Sequence, residues 1–460
     1  MNLFHETEAQ QQLRSSVAEV AKRYGLEYYV EKAHAGEDTT EVWEEAGKAG
    51  FLGVSIPREY GGGGAGMYEL HIVAEEFAAH GVPLLFLPVS AAICATVLSM
   101  TGTEEQRQQW LPGFADGSKR MTFAVTDPEG GSNLFRIAAT ARRKGDGWVL
   151  SGKKSLVSAV DLADAMMVVA RTRNERTGLP TLGLFIVPRD TPGVSWERVP
   201  MALVAATGQF DVTFDDVRLP ADALVGGDMT ALKQLFTSGL NPERITFAAW
   251  TNGLGRCALD LATRRANERR VWDTTLGAHQ GLSHPLAAAM VDLELSRMCV
   301  QKAAWLYDNG QDRSGEVANM GKYSSAEAAG KVIDQAVQIF GGHGMTERSG
   351  VGVLYSMVRV ARVAPVSREM LLNGFAKNTL GLEKSYGPKT AWQRGVPQQL
   401  VASAPSIVAA RAKNLAAALG KPTEQHPAHA PQAVPAPRAV GRAIELGQAV
   451  RVAWQLLRRR

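Results

Sequence analysis

The sequence predicts a mainly α chain with an inserted β domain: an N-terminal helical domain, a middle β-barrel-like domain and a C-terminal four-helix bundle. Three observations carry this. Residues 1–118 hold segments with helical apolar spacing, broken by Gly and Pro. Between Lys119 and Asp228 the texture changes to short β-like runs separated by turn residues. After Met229 long helical segments return, and long helices joined by short loops imply a bundle. A chain of 460 residues, 45% hydrophobic and 21% charged, is long enough for two or three domains with sizeable cores.

The predicted boundaries are 1–118 for the first helical domain, 119–228 for the β domain and 229–385 for the bundle. In the first, helices are expected over Glu8–Tyr24, Thr40–Ala49, Met67–His80 and Glu104–Phe114. Gly61 to Gly66 formally satisfies GxGxxG, but Pro57-Arg58-Glu59-Tyr60 makes a poor strand end, so this stretch is read as a flexible loop rather than a dinucleotide fingerprint. The expected strands are Met121–Val125, Ile137–Ala141, Trp148–Ser151, Ala165–Ala170, Leu182–Val187, Val194–Val199 and Phe210–Phe214. In the bundle, helices are expected over Glu243–Asn267, Pro285–Asn309 and Val317–Phe340, with a shorter one over Ser367–Leu380. Asn241 reads as the N-cap of the first, Pro242 as its first helical residue, and Glu243 lies in the first turn, where the dipole favours a carboxylate. That helix ends in Arg264, Arg265, Arg269 and Arg270, so a carboxylate stands at one end and phosphate-capable side chains at the other. On local evidence alone, the bland reading of a dipole-satisfying glutamate and a solvated basic end is the favoured one.

Residues 386–438 form an extension ending in the Pro/Ala-rich linker 421–438, and 439–460 read as a basic amphipathic tail helix. From Lys421 onward seven Lys/Arg and two Glu give +5 of the net +4, leaving −1 for the body and no charge balance suited to nucleic acid. The tail helix, with a basic polar face and Trp454, is expected to meet an anionic membrane surface or a partner. Cys94, Cys257 and Cys299 are widely spaced, giving no zinc framework; no metal site is expected, and reduced cysteines without a recognisable export signal point to the cytoplasm.

Several motifs in one order make residues 6–382 resemble the acyl-CoA dehydrogenase family. Phe123-Ala124-Val125-Thr126-Asp127-Pro128-Glu129-Gly130-Gly131-Ser132-Asn133 is similar to that family's A-x-T-E-P-x-x-G-S-D segment. Leu150-Ser151-Gly152-Lys153-Lys154-Ser155-Leu156-Val157-Ser158 is similar to its L-x-G-x-K-x-W-I-T segment. Gln338-Ile339-Phe340-Gly341-Gly342-His343-Gly344 resembles its Q-x-F-G-G-x-G almost letter for letter. The resemblance implies FAD as cofactor, held by Phe123, Val125, Thr126, Leu156, Ser158 and Ser367. Arg269, Trp272, Gln280, Gln338, Gly341 and Gly342 would add contacts across a homodimer or homotetramer interface. It implies an acyl-CoA substrate touching Ser132, Arg244 and Val366, and an electron-transfer flavoprotein as acceptor. A guanidinium such as that of Arg269 suits phosphate because it makes paired, charge-assisted bonds.

The reaction so implied is α,β-dehydrogenation of an acyl thioester, in which a carboxylate removes the α-proton. Most of the family place that carboxylate in a loop that here reads Arg362-Val363-Ala364-Pro365-Val366-Ser367, with Pro365 at the glutamate position. A minority, the isovaleryl-CoA and long-chain enzymes, carry the base at the start of a bundle helix in an E-R pair. Asn241-Pro242-Glu243-Arg244 is similar to that placement, which implies Glu243 as base. The helix N-terminus should lower its pKa, and desolvation by a bound thioester should raise it, so the base is expected to be competent only in the closed complex. Pro365 has no N–H to give a thioester oxygen, so Val366 is expected to supply that donor. Leu156, Pro365 and Asp273 depart from the family pattern and leave open a flavin monooxygenase or acyl-CoA oxidase, or a non-catalytic flavoprotein scaffold.

Overall fold

A computed structural model describes residues 6–383 apart from 174–177, 179, 203 and 228–238. The Pro/Ala-rich linker and the tail helix therefore lie outside the described residues. In the first helical region, α1 (Glu8–Ala35) starts on Thr7, whose hydroxyl accepts from Gln10 N–H in a capping box; α2 (Thr40–Lys48), α3 (Met67–Ala79), α4 (Ala95–Thr101) and α5 (Glu104–Asp116) follow. The expected break of α1 at Tyr24 is instead a kink: Gly25 takes φ 75° and the helix resumes to a left-handed Gly36 cap. Residues Leu87–Cys94, passed over in the sequence, wind as a π-helix leading into α4. The glycine stretch after Tyr60 is not a loose loop. It folds back on residues 53–57 through backbone bonds from Gly62, Gly63, Gly64 and Ala65, and no strand enters it.

The middle region is a seven-stranded sheet. Its strands are β1 (Met121–Ala124), β2 (Thr140–Lys144), β3 (Gly147–Ser158), β4 (Ala165–Arg173), β5 (Pro180–Pro188), β6 (Val194–Arg198) and β7 (Gln209–Leu219). β4 is the hub: it pairs parallel with β1 and, at one residue, with β2, and antiparallel with β5. The ribbon β2–β3–β7–β6 continues antiparallel from there. One face packs on α4 and α5 through Met121, Met167, Leu184 and Trp110, and the other encloses Leu150, Phe185, Phe210 and Phe214.

The bundle contains α6 (Leu240–Glu268), α7 (Gln280–Asp308), α8 (Ser314–Phe340) and α9 (Val351–Ala361), with α10 (Arg368–Gly374) beyond. A short hairpin, β8 (Arg270–Val271) and β9 (Thr274–Thr275), separates α6 from α7. α6 begins one residue before Asn241, so Asn241 is not the cap; its side-chain oxygen instead accepts from Arg244 at 3.3 Å. Pro242 remains in the first turn, where a missing N–H costs nothing. The first helical region and the bundle share one core, in which α3 lies against α6.

Candidate active site

The β1 end of the site is fixed from beneath. Asp127 is buried just after β1, and its carboxylate accepts from the backbone N–H of Ala138 and of Ala139, the latter at 2.9 Å. Lys154, fully buried, donates to the same carboxylate and to Val125 O at 2.9 Å, while Ser155 N donates to Thr126 O at 2.8 Å. Burial pushes the Lys154 ammonium below its ordinary range and Asp127 opposes that shift. The Lys154–Asp127 pair thus locks the Val125–Thr126 turn to β3. Both residues stand inside the sequence motifs, but their pairing was not foreseen, because nothing in linear spacing reports a contact across 27 residues.

The β3–β7 register slips between Lys154 and Val157, and Leu156 sits in that irregularity at φ 54°. This turns its side chain outward, 54% exposed. Ser158 is half-buried and exchanges hydrogen bonds with Gln209 at 3.0–3.1 Å. Phe123, Val125 and Thr126 are half-buried and Ser132 is exposed.

Glu243 lies in the first turn of α6, half-buried, with its pKa raised to about 7 by burial; Arg244 and Lys322 oppose the rise. The protein's own packing already raises it without substrate. Three groups act around it. Arg244 follows it, with its Nε buried and unpartnered; Lys322 reaches in from α8; the buried Cys94 thiol stands close enough for Glu243 to raise its pKa. Lys322 was missed, although its place in the small-residue row Ala318, Ser325 and Ala329 of α8 marks a charge on a buried face.

The remaining sequence-derived residues gather at the opposite end of the bundle. Arg269, Trp272 and Gln280 are exposed around the β8–β9 hairpin, and Gln338, Gly341 and Gly342 are exposed at the end of α8. Arg265 lies 5.6 Å from the Phe340 ring centroid, which places the two groups side by side. Glu243 and Arg269 are 26 residues apart on one helical path, about 39 Å at ~1.5 Å per residue. No single extended dinucleotide bridges that distance, so the structure does not bring these two sets into one site within a chain. In the 360–367 segment, Arg362 and Arg368 pair with Glu327 of α8 at 3.1 and 3.5 Å, and Ser367 caps α10. Among the described residues no protein acceptor takes the Val366 N–H.

Matches to known families cover each region of this architecture. Residues 7–118 match the acyl-CoA dehydrogenase N-terminal domain, 122–217 the middle domain and 234–380 the C-terminal domain. The chain belongs to the acyl-CoA dehydrogenase family. It is 52% identical over 384 residues to the acyl-CoA dehydrogenase FadE12 of Mycobacterium tuberculosis, spanning 83% of this chain and 99% of that one. It is 30% identical over 353 residues to the probable acyl-CoA dehydrogenase YngJ of Bacillus subtilis, spanning 76% and 92%. The solved butyryl-CoA dehydrogenase of Megasphaera elsdenii superposes with a TM-score of 0.77 at 25% identity, over 82% of this chain and 99% of that one.

As a member of the acyl-CoA dehydrogenase family the chain is an FAD-dependent enzyme, and its residues fit that cofactor. Leu156 and Trp272, 54% and 87% exposed, are large apolar side chains left standing in solvent, both at positive φ. Arg269 forms no ion pair among the described residues. A Cβ at Gly342 would meet nothing within 4 Å, so this chain's own packing does not demand a glycine there. Each is a surface that a flavin or a pyrophosphate would cover.

Proposed function

We propose that the protein dehydrogenates an acyl-CoA thioester to its trans-2-enoyl form, with Glu243 as the base that takes the α-proton. The observation that carries this reading is the position of Glu243: a half-buried carboxyl with its pKa near 7, in a chain whose usual base position is Pro365. A base is most effective when its pKa lies near the working pH, because it is then both ionised and basic enough to accept the proton. FAD, when bound, supplies hydride acceptance from the β-carbon. The chain orients the thioester, excludes water and holds the proton on a Glu243 carboxylate oxygen. Phe123, Val125, Thr126, Leu156, Ser158 and Ser367 would border the flavin, and Ser132, Arg244 and the free Val366 N–H would meet the substrate, Val366 donating to the thioester oxygen.

The separation between Glu243 and Arg269 supports a homo-oligomer in which Arg269, Trp272, Gln280, Gln338, Gly341 and Gly342 serve a neighbouring copy's FAD. An electron-transfer flavoprotein is the proposed acceptor. The free cysteines fit a cytoplasmic setting, and no helix among the described residues is long and apolar enough to cross a membrane.

The test is an anaerobic titration of the purified, FAD-loaded protein with short, long and branched acyl-CoAs, following flavin absorbance. One class should bleach the flavin, and Glu243→Gln should slow that bleaching by about 10²–10⁴-fold. Bleaching at the wild-type rate in the variant removes Glu243 as the base, and a flavin that no thioester reduces removes the dehydrogenase reading.

A further inference from the structure

The buried ammonium of Lys322 does not behave as a paired core charge. Its side chain is 1% exposed, and among the described residues it has no carboxylate partner within ion-pair distance. Its one hydrogen bond goes to the carbonyl oxygen of Ala361, and it lies 5.5 Å from the ring centroid of Phe247, one turn beyond Glu243 on α6. Burying a charge without a partner is costly, and a methionine would fill the same space at lower cost. A charge kept there needs an electrostatic use.

Two features of its place supply one. Toward α6, it faces the Glu243–Arg244 turn, and Glu243 is the leading group that favours its charged form. Toward α9, Ala361 is the last helical residue before the 362–367 loop, which holds Pro365 and the proposed donor Val366. The same helix fastens the rest of that loop, since Glu327 pairs with Arg362 and with Arg368. α8 thus places a charge toward the Glu243 turn and holds the loop with two side chains, Lys322 and Glu327.

We propose that Lys322 is a positioning residue for the reaction: its ammonium favours the ionised form of Glu243 while, through Ala361, it holds the start of the loop that carries Val366. The proposal rests on Glu243 being the base. The groups facing Glu243 are Arg244 on its own helix, the Cys94 thiol from the Leu87–Cys94 segment and Lys322 from α8, with Glu327 acting on Lys322 from further along that helix. Burial lowers the Lys322 pKa to about 8, so it is still charged at neutral pH. A cation beside a carboxylate lowers that carboxylate's pKa. Removing it raises the pKa and leaves less Glu243 ionised at any given pH, which moves the acid limb of the rate profile to higher pH.

The experiment is single-turnover reduction of the FAD-loaded, full-length protein by the acyl-CoA that the wild type turns over fastest, measured from pH 5.5 to pH 9. Lys322→Met, Lys322→Gln, Lys322→Arg and Glu243→Gln are compared with the wild type. Titration of the Glu243 carboxyl is followed in parallel by infrared difference spectroscopy, its band assigned by loss in Glu243→Gln. Lys322→Met should shift both the acid limb and the infrared titration upward by roughly one pH unit, about tenfold slower below the limb, while approaching wild-type rates at high pH. Lys322→Arg should restore the wild-type midpoint. If Lys322→Met does not fold or load FAD, Lys322→Gln, which can still donate to Ala361, carries the comparison with Lys322→Arg. A wild-type midpoint in the neutral variants, or an arginine variant no better than they are, overturns the proposal. Wild-type reduction in Glu243→Gln overturns the base assignment instead, and is read independently of Lys322.

Discussion

At Glu243 activity and stability pull in opposite directions. Its folded pKa of about 7 lies above the ordinary carboxylate value, so the folded state holds that proton more tightly than the unfolded chain does. The stability this contributes is complete below about pH 4.5 and is lost as pH rises through 7. The proposed base role needs the opposite form, so kcat/KM should climb with a limb near pH 7 while the resting protein loses stability over the same range. Glu243→Gln should therefore raise the melting temperature at pH 8, by up to about 3 kcal/mol of stability at ~1.36 per unit, as it removes turnover. Calorimetry of the two proteins at pH 5 and pH 8 checks this, and equal melting temperatures at pH 8 would sink the burial argument. His71 gives the reverse sign. It is buried on α3, and burial lowers its pKa to about 4. Its contribution is intact above pH 6.5 and lost as pH falls through 4, roughly 3 kcal/mol over that window. His71→Leu should narrow the gap between melting temperatures at pH 7 and pH 4.5; an unchanged gap would show that other groups govern the acid response.

Among elements, α3 is held by side chains from elsewhere in the chain. Asp308, at the end of α7, accepts from Met67 N at 2.7 Å and Tyr68 N at 2.9 Å, capping α3 across the molecule. A Cβ at Gly66 would lie 2.4 Å from that carboxylate. Asp308→Ala should cost about 0.5–2 kcal/mol, Asp308→Asn clearly less, and Gly66→Ala should resemble the loss of the cap; thermal melts order the three. Further along α3, the buried Glu75 and Glu76 gather Arg14 of α1, Arg256 of α6 and Arg297 of α7, which ties four helices together. None of this is legible in the sequence, since every partner is remote. What the sequence does show follows from local period and local chemistry: most strands of the sheet, α3 and α8 fall within a few residues of where alternation or helical spacing puts them, but β3 runs on to Ser158 and β7 to Leu219, well past the expected Ser151 and Phe214. The misses have local causes too. Gly25 bends α1 without ending it, and α9, a short apolar helix, offers no cap to mark it. The proposed base, Glu243, is suggested by its Glu-Arg neighbourhood and by the proline at the usual position, whereas Lys322, Lys154 and Glu327 matter only through contacts that folding creates.

At the scale of the whole molecule, α7 leaves an apolar stripe exposed among the described residues. Val291, Leu295 and Met298 are exposed along α7 four and three residues apart, so they share a face, and the exposed Met290 adjoins Val291 at its edge. Trp272, in the β8–β9 hairpin, and Met345, just after α8, also stand in solvent. A contiguous apolar stripe of this kind on a long helix is a surface that association buries. The proposed roles of Glu243 as base and Arg269 as pyrophosphate contact, set about 39 Å apart along α6, lead to the same surface from the side of the cofactor, with Arg269 serving a neighbouring copy's flavin. Joining the two arguments gives a prediction that neither makes alone. Val291→Asp with Leu295→Asp places two charges on the stripe, far from Glu243 in sequence and outside the flavin-facing strands. The doubly substituted protein should fall to a smaller species by light scattering, and FAD retention should fall with it, although no residue proposed to touch the cofactor has changed. Arg269→Ala should weaken FAD retention while leaving the assembly intact at high protein concentration. If the charged variant keeps both its mass and its flavin, the stripe is not the assembly surface. If it dissociates and still holds FAD at full occupancy, the cofactor site is complete within one chain, and the residues from Arg269 to Gly342 have another purpose.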